Sequence, residues 1–444
     1  MKKSKKIYLE TYGCQMNFSD SEIVASILTR EGYDYTTDLT TADIIFINTC
    51  SIRENAEERV RKRLQYFKSL KKRNPRLMIG LLGCMADRTK TALMEEDQLL
   101  DLVAGPDSYR HLPLLLEQVG TGRQAIDTIL SCDETYADIT PVRLDSNGVS
   151  AFISIMRGCE NYCTYCVVPS TRGQERSRDA DSIINETSDL FNRGYREVTL
   201  LGQNVNSYHW VSPRGVIDFS MLLENVAAVS PLMRIRFATS HPKDIPDRLL
   251  HTIAGHENIC KSIHLPVQSG SDHMLDLMNR KYTREQYMER IEAIRRIITD
   301  CAISTDIITG FCDETEEDHQ HTISLMEWAR FDFVFMFKYS ERPGTLAAET
   351  LKDNVPENIK EKRLTEIISL QQKLSFESNK NDLGKTFTVL IEGESKRSNA
   401  HYSGRTSQNK VVIFPKTEAG TGDYQRTIIT RFTSATLIGE VSLP

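Results

Sequence analysis

Hydrophobic positions along the chain follow two rhythms. Short, dense apolar runs alternate with longer stretches in which apolar residues recur every three or four positions. Three early runs end on a cysteine: YLETYGC at Cys14, DIIFINTC at Cys50 and LMIGLLGC at Cys84. Each predicts a buried strand followed at once by helix signals. The capping box Ser19-Asp20-Ser21-Glu22 predicts a helix that Gly32 stops. A second box, Ser51-Ile52-Arg53-Glu54, predicts a helix that ends before Pro75. Spacings of 36 and 34 residues between the cysteines suit one strand–helix unit each, and repeated units of that length predict a parallel, doubly wound sheet. Ligands of such sheets bind beyond the carboxyl ends of the strands. All three cysteines fall at that edge.

From about Ala151 a second series begins: AFISIMRG, EVTLLGQNVN, RIRFATSHP, SIHLPVQSG, AISTDIITGF and FDFVFMFKYS, separated by helical segments. Six strand–helix units in a row predict a partial or complete TIM-type barrel, whose chemistry gathers at the carboxyl ends of its strands. Polar residues recur there: Gln203, Asn204, Ser240, His241, Gln268, Ser269 and Asp306. That recurrence favours a ligand-lined mouth over a set of satisfied loop groups. After a charged helical stretch from Pro356 to about Leu383, the tail becomes β-rich and predicts a small barrel of about five strands. The expected organisation is an α/β protein in three parts: a doubly wound domain over 1–130, a partial barrel over 145–375 and an all-β barrel over 381–444.

Composition narrows the compartment. The chain has 444 residues, 40% hydrophobic and 26% charged, as a soluble globular protein of two to four domains has. No apolar run reaches the length of a membrane span, and MKKSKKIYLETYG carries the charges of a signal peptide without its apolar stretch. The expectation is a cytoplasmic protein with no membrane partner. In a reducing compartment, ten cysteines suggest metal or redox sites before disulfides. A net charge of −6 argues against a protein coated by nucleic acid, yet Arg59 to Arg76 holds nine Lys or Arg and no acid. Val60, Leu64 and Phe67 share one face there and predict an amphipathic helix with a basic outer side. A merely solvated face explains that helix as readily as RNA contact does.

RGCENYCTYCVVP places Cys159, Cys163 and Cys166 just after the first strand of the barrel series. Structural zinc wants four ligands in paired sets, and no partner pair lies nearby. Three thiolates on one loop instead suit an iron–sulfur cube with one iron left open.

Here the sequence resembles the radical S-adenosylmethionine (SAM) superfamily. TYGCQMN, NTCSIRENAEERV, GCMADR, RGCENYCTYCVVPSTRGQERSR, LLGQNVNSY, TSHP, LPVQSGS, RKYTREQY and KYSERPGT run in order along the chain. Together they resemble the tRNA methylthiotransferases of the MiaB type over nearly its whole length, and GESKRSNAHYSGRT resembles their terminal RNA-binding TRAM barrel. The resemblance implies two 4Fe-4S clusters and S-adenosyl-L-methionine. Cys159, Cys163 and Cys166 would hold the cluster that reduces SAM to a 5′-deoxyadenosyl radical. Cys14, Cys50 and Cys84 would hold an auxiliary cluster carrying the sulfur that a second SAM methylates. An aromatic C–H is neither acidic nor electrophilic, so the cofactor, not a side chain, has to attack it.

Gln203, Asn204, Ser240, Gln268 and Asp306 are the SAM-pocket candidates. Arg176 and Arg178 suit a SAM carboxylate or an RNA phosphate, with surface ion pairing as the plain alternative. Lys396, Arg397 and Arg405, expected to cluster on turns of the last barrel, would meet RNA, although that domain carries only eight basic against six acidic residues. An unpaired anticodon loop lets the target base turn outward cheaply. The implied partners are a tRNA anticodon stem-loop, a reductant protein and a sulfur donor, with the enzyme a monomer. Relatives act on threonylcarbamoyl-adenosine or on a ribosomal-protein aspartate, but NTCSIRENAEERV and GQNVNSY look most like the isopentenyl-adenosine branch. An iron–sulfur carrier and a zinc-dependent RNA-binding module are the competing non-enzymatic readings. One departure stands out: TGFCDETEED has Cys312 where the family usually has proline, which implies a looser loop. Cys312, Cys132, Cys260 and Cys301 lie outside both sets and are read as packing residues.

Overall fold

A computed structural model describes residues 4–50, 54–89, 100–144, 147–213 and 215–442. The chain divides into two compact units where the sequence suggested three parts. The first comprises Met1–Asp145, Met156–Tyr162 and Cys166–Arg178, and the second Ser146–Ile155, Cys163–Tyr165 and Asp179–Pro444.

The first unit is built on a six-stranded parallel sheet in the order β2-β1-β3-β4-β5-β6. Its strands are β1 Lys6–Tyr12, β2 Asp34–Tyr35, β3 Ile44–Thr49, β4 Met78–Leu82, β5 Leu102–Ala104 and β6 Ala125–Asp127. β3 is buried along its whole length, as a central parallel strand covered on both faces should be. One core packs Ile23, Val24, Leu28, Phe46 and Leu112 on one face, and another packs Ile45, Ile47, Val60, Leu64 and Phe67 on the other. The sheet is therefore doubly wound, as expected. β2, β5 and β6 were not anticipated, being two or three residues long.

Helix α1 spans Gln15–Arg30 and begins five residues earlier than the Ser19–Glu22 box implied. Cys14 itself is the N-cap, and the reciprocal capping partner is Asn17. Ser19, Asp20, Ser21 and Glu22 instead lie inside the helix and are buried. Gly32 does follow the helix end, in the left-handed region. Helix α2, Glu54–Arg73, carries the basic face and ends before Pro75 with Val60, Leu64 and Phe67 buried; the Ser51–Glu54 box lies outside the described residues. Part of its basic face is committed, since Arg63 pairs with Glu10 and Lys71 with Asp101.

In the second unit all six anticipated barrel strands are present: β7 Ser150–Ser154, β10 Glu197–Leu201, β13 Arg234–Ala238, β14 Ser262–His264, β15 Ala302–Thr309 and β16 Phe333–Lys338. They pair in parallel as β7-β10-β13 and β14-β15-β16, and an Ile235–Ile259 bridge joins the two series. The numbers between belong to two short ribbons: β8 Met156–Arg157 with β9 Arg176–Ser177 in the first unit, and the unanticipated hairpin of β11 His209–Ser212 and β12 Gly215–Asp218 in the second. Glu357–Lys380 forms a long helix packed on β16.

The tail closes into a five-stranded barrel in the order β17-β18-β19-β21-β20, from β17 Thr386–Ser395, β18 Ser398–Arg405, β19 Val411–Pro415, β20 Tyr424–Phe432 and β21 Leu437–Val441. It is fastened to the amino-terminal rim of the larger barrel. Arg234 donates to the Arg405 and Thr388 carbonyls, Arg236 to those of Thr406 and Ser407, and the Tyr424 hydroxyl to those of Arg196 and Leu232. The expected cluster of Lys396, Arg397 and Arg405 on turns is corrected by the strand register. Lys396 and Arg397 occupy the β17–β18 turn, whereas Arg405 ends β18 opposite Leu390, at the other end of that hairpin. There Arg405 pairs with Glu392 at 3.1 Å.

Candidate active site

β1, β3 and β4 are neighbours in one parallel sheet, so their carboxyl ends bring Cys14, Cys50 and Cys84 out side by side. The backbone before Cys14 leaves no room for a side chain: Gly13 has φ +141°, and a Cβ there would lie 2.6 Å from both Cys50 Cβ and Asn17 Oδ1. Asn17 in turn donates to Asn48 at 3.2 Å, and Asn48 donates back to the Asn17 carbonyl and to Ser21. This buried amide pair fixes the floor beneath the thiols. Its members come from α1 and β3, next to two of the three cysteines.

A hydrogen bond with Cys50, helped by the Arg172 cation and opposed by burial, lowers the Cys14 thiol to about 6. Burial pushes the Cys84 thiol up against the same arginine. The donor set is thus three sulfurs with a guanidinium nearby, which fits an anionic, thiolate-ligated cluster. A cube gives each thiolate its own iron, so its ligands spread wider than those of a single ion. Among the described residues no three of His, Cys, Asp or Glu converge on a single-ion site.

Beneath the thiols runs a buried chain of charges within the first unit. Arg172 donates to Asp20 at 2.7 Å, and Arg157 donates to the other oxygen of Asp20 at 2.9 Å. Arg176 donates to both oxygens of Asp107, at 3.0 and 3.1 Å. All five side chains are buried. Arg176 also donates to the Ser131 and Glu134 carbonyls, so it is committed to the protein and corrects the expectation of a SAM or phosphate contact. Arg178 is buried as well, which removes the surface ion-pair alternative.

The three sulfurs of the Cys159–Cys166 loop each accept an N–H donor. Cys159 accepts from Asn161 Nδ2 and Cys166 from the Val168 amide, both at 3.5 Å in the first unit. Cys163 accepts from Arg280 Nη1 at 3.2 Å in the second. Gly158, with φ +81°, allows the turn that starts the loop; a Cβ there would stand 1.9 Å from the Gln174 carbonyl oxygen. Gly158→Ala should therefore cost more than about 1 kcal/mol in denaturant titration and lower the iron bound on reconstitution. Unchanged stability and iron content would refute this account of the turn.

In the second unit, polar atoms gather at the carboxyl ends of β10 and β13. Gln203 Oε1, Asn204 Oδ1, Asn206 Nδ2 and His241 Nε2 are buried without hydrogen-bond partners. Such groups are costly unless a ligand satisfies them. Burial, with Arg280 and Lys243 nearby, holds the His241 imidazole down at about 2, so it is neutral. Ser240 Oγ donates to Asn206 Oδ1 at 3.1 Å, and Asn204 Nδ2 donates to Asp244 at 2.7 Å. Gln268 sits in the left-handed region (φ +78°) and bridges β15 through Ile307. Ser269 is turned to Thr322 instead. Asp306 lies 3.5 Å from His264 Nε2, on the face of β15 and β16 that also carries the exposed Phe335. Asn206 and Arg280 were missed by the sequence reading, though both stand in the quoted motifs LLGQNVNSY and RKYTREQY. Of the remaining cysteines, Cys260 and Cys312 are buried and Cys301 is half-buried. Cys132 is exposed, which corrects its reading as a packing residue.

Three family models match successive parts of the chain. Residues 6–105 match the uncharacterized protein family UPF0004, 153–326 the radical SAM superfamily and 380–442 the TRAM domain. A tRNA-2-methylthio-N(6)-dimethylallyladenosine synthase from Amoebophilus asiaticus is 57% identical over 99% of this chain and 93% of its own. The protein of that name from Bacteroides thetaiotaomicron is 56% identical over 98% and 96%. Among solved structures, the radical S-adenosylmethionine methyltransferase TsrM from Kitasatospora setae, with tryptophan and a SAM analogue bound, superposes with a TM-score of 0.57. It covers 78% of this chain and 75% of its own at 14% identity, a likeness of fold alone. With both cysteine sets and all three domain matches in place, the chain belongs to the tRNA-2-methylthio-N(6)-dimethylallyladenosine synthase family.

Proposed function

We propose that this protein methylthiolates carbon 2 of N6-isopentenyladenosine in the anticodon loop of tRNA. The observation that carries this reading is the presence of two separate three-cysteine sets, one at the edge of the parallel sheet and one in the loop after the first barrel strand. Two 4Fe-4S clusters and SAM are its cofactors. When bound, they supply a 5′-deoxyadenosyl radical for hydrogen abstraction and a methylated sulfur to replace the hydrogen. Cys159, Cys163 and Cys166 would hold the first cluster, and Cys14, Cys50 and Cys84 the second.

The protein's own share is binding, orientation and exclusion of water. The partnerless polar atoms of Gln203, Asn204, Asn206 and His241 offer two acceptors, an amide donor and a neutral imidazole nitrogen to a polar ligand. SAM carries matching amino, carboxylate and hydroxyl groups. Asp306 presents a carboxylate on the neighbouring face, where a ribose hydroxyl would be accepted. Arg178 remains a candidate for the SAM carboxylate. Lys396 and Arg397, on an exposed turn of the closed barrel, would meet phosphates and position the RNA without reading its sequence. A reductant protein, a sulfur donor and a monomeric enzyme complete the proposal. Among the described residues no helix is long and apolar enough to cross a membrane, and a cytoplasmic location suits the substrate.

The test is reconstitution under anaerobic conditions, followed by incubation with SAM, a reductant and one of three RNAs. Isopentenylated tRNA should yield the 2-methylthio nucleoside, while unmodified and threonylcarbamoylated tRNA should yield at least tenfold less (about 1.4 kcal/mol of discrimination). Preference for the threonylcarbamoylated substrate would overturn the assignment.

A further inference from the structure

Arg280 is a buried cation placed with unusual care. Its neighbours on both sides, Asn279 (φ +57°) and Lys281 (φ +64°), hold left-handed backbone conformations that non-glycine residues seldom adopt. The segment is also fastened to the cysteine loop. The Thr164 amide donates to the Met278 carbonyl at 3.2 Å, and its hydroxyl donates to that of Leu277 at 2.8 Å. Every arm of the guanidinium is engaged: Nε donates to the Tyr282 hydroxyl at 3.0 Å, Nη2 to the Pro266 carbonyl at 2.7 Å, and Nη1 to the Cys163 sulfur at 3.2 Å and the Tyr165 hydroxyl at 3.4 Å.

No carboxylate is among these partners. Arg236 and Arg363, buried in the same unit, pair with Glu197 and Glu314; among the described residues Arg280 forms no ion pair. A guanidinium is permanently charged, and a buried charge without a counter-ion is costly. Of these partners, Cys163 is the one that carries a negative charge when it ligates a metal as a thiolate.

We infer that Arg280 is the counter-cation of the cluster on the Cys159–Cys166 loop and a positioning residue for Cys163, through an N–H···S hydrogen bond to its thiolate. Two consequences follow from general chemistry. A fixed donor holds the ligand sulfur in one orientation, so the cluster is retained longer. A positive charge beside a ligand sulfur also stabilises the reduced cluster over the oxidised one, which raises its reduction potential. The inference rests on those three cysteines being cluster ligands.

The full-length chain with Cys14, Cys50 and Cys84 replaced by alanine isolates this one cluster. In that background, Arg280→Met should lose iron to a chelator on the order of 10- to 100-fold faster and show a more negative midpoint potential by EPR-monitored titration. Arg280→Lys, which keeps the charge but not the fork, should fall between. Independently of whether the methionine variant folds, the reduced cluster of ¹⁵N-arginine-labelled protein should show a nitrogen hyperfine coupling in pulsed EPR that Arg280→Lys removes. Unchanged iron loss and potential, or absence of that coupling, overturns the role of Arg280 alone. Failure of the isolating background to bind iron at all overturns the ligand assignment with it.

Discussion

Replacing Cys14, Cys50 and Cys84 together by alanine should leave SAM cleavage intact and abolish methylthiolation. Reconstituted wild type should carry roughly eight irons and the variant roughly four, all on the Cys159–Cys166 loop. 5′-Deoxyadenosine should still form in the presence of dithionite, because that loop and the polar residues of the barrel mouth are untouched. The converse variant, with Cys159, Cys163 and Cys166 replaced, should also keep roughly four irons but form no 5′-deoxyadenosine. The two outcomes separate radical generation from sulfur delivery. Methylthiolated tRNA from the first variant would sink the sulfur-donor role of the sheet-edge cysteines. Zinc in place of iron in wild type would return the chain to a non-catalytic reading.

Asp20→Asn is expected to be the most damaging single change away from the ligands. Asp20 lies in α1, the helix that Cys14 caps, and pairs with Arg157 and Arg172, which flank the second cysteine set in sequence. Loss of its charge leaves two buried guanidiniums facing an amide. Breaking a buried pair by removing one partner costs about 3–5 kcal/mol. The pH dependence has a definite sign. Burial opposes the Asp20 charge, but Arg157 and Arg172 outweigh it and hold the carboxyl below its ordinary 3.8. Its contribution is therefore full above about pH 4 and lost as pH falls through the depressed folded value. For Asp107, burial outweighs Arg157 and Arg176 and the carboxyl is raised. Ionising Asp107 thus costs stability as pH climbs past its unfolded value. Urea titrations at pH 7 and below pH 4 check the first: the wild-type advantage over Asp20→Asn should shrink in acid. An equal gap at both pH values would show that the pair is not the source of the loss.

The large elements and the cysteine sets were legible because local pattern determines them. A run such as DIIFINTC can be little other than a buried strand, and its length alone marks where the thiol emerges. β2, β5 and β6 were not legible, because two or three residues carry no period. The start of α1 was misplaced because Ser19–Glu22 satisfies the capping pattern, while a cysteine that caps with Asn17 is not among the usual signals. The charge network was invisible for another reason. Asp20 and Arg172 are 152 positions apart, and nothing local in either marks the other. Arg280 shows the same limit: the sequence places it in a motif, but only folding puts its Nη1 against Cys163. Arg405 failed differently, since the strand register, not its composition, carried it to the far end of the hairpin.

The fastening of the small barrel to the amino-terminal rim sets a length scale. The strands of the larger barrel are five to eight residues long where longest, as in β13 and β15, and rise about 3.3 Å per residue, so rim and mouth stand on the order of 20 Å apart. An RNA gripped at the small barrel must bridge that interval before any base enters the mouth. Six hydrogen bonds from Arg234, Arg236 and Tyr424 make the interval a fixed one. On the proposed function, with RNA gripped at the small barrel, such a molecule would work as a caliper, selecting a nucleotide by its distance along the RNA from the point of grip before any edge of the base is read.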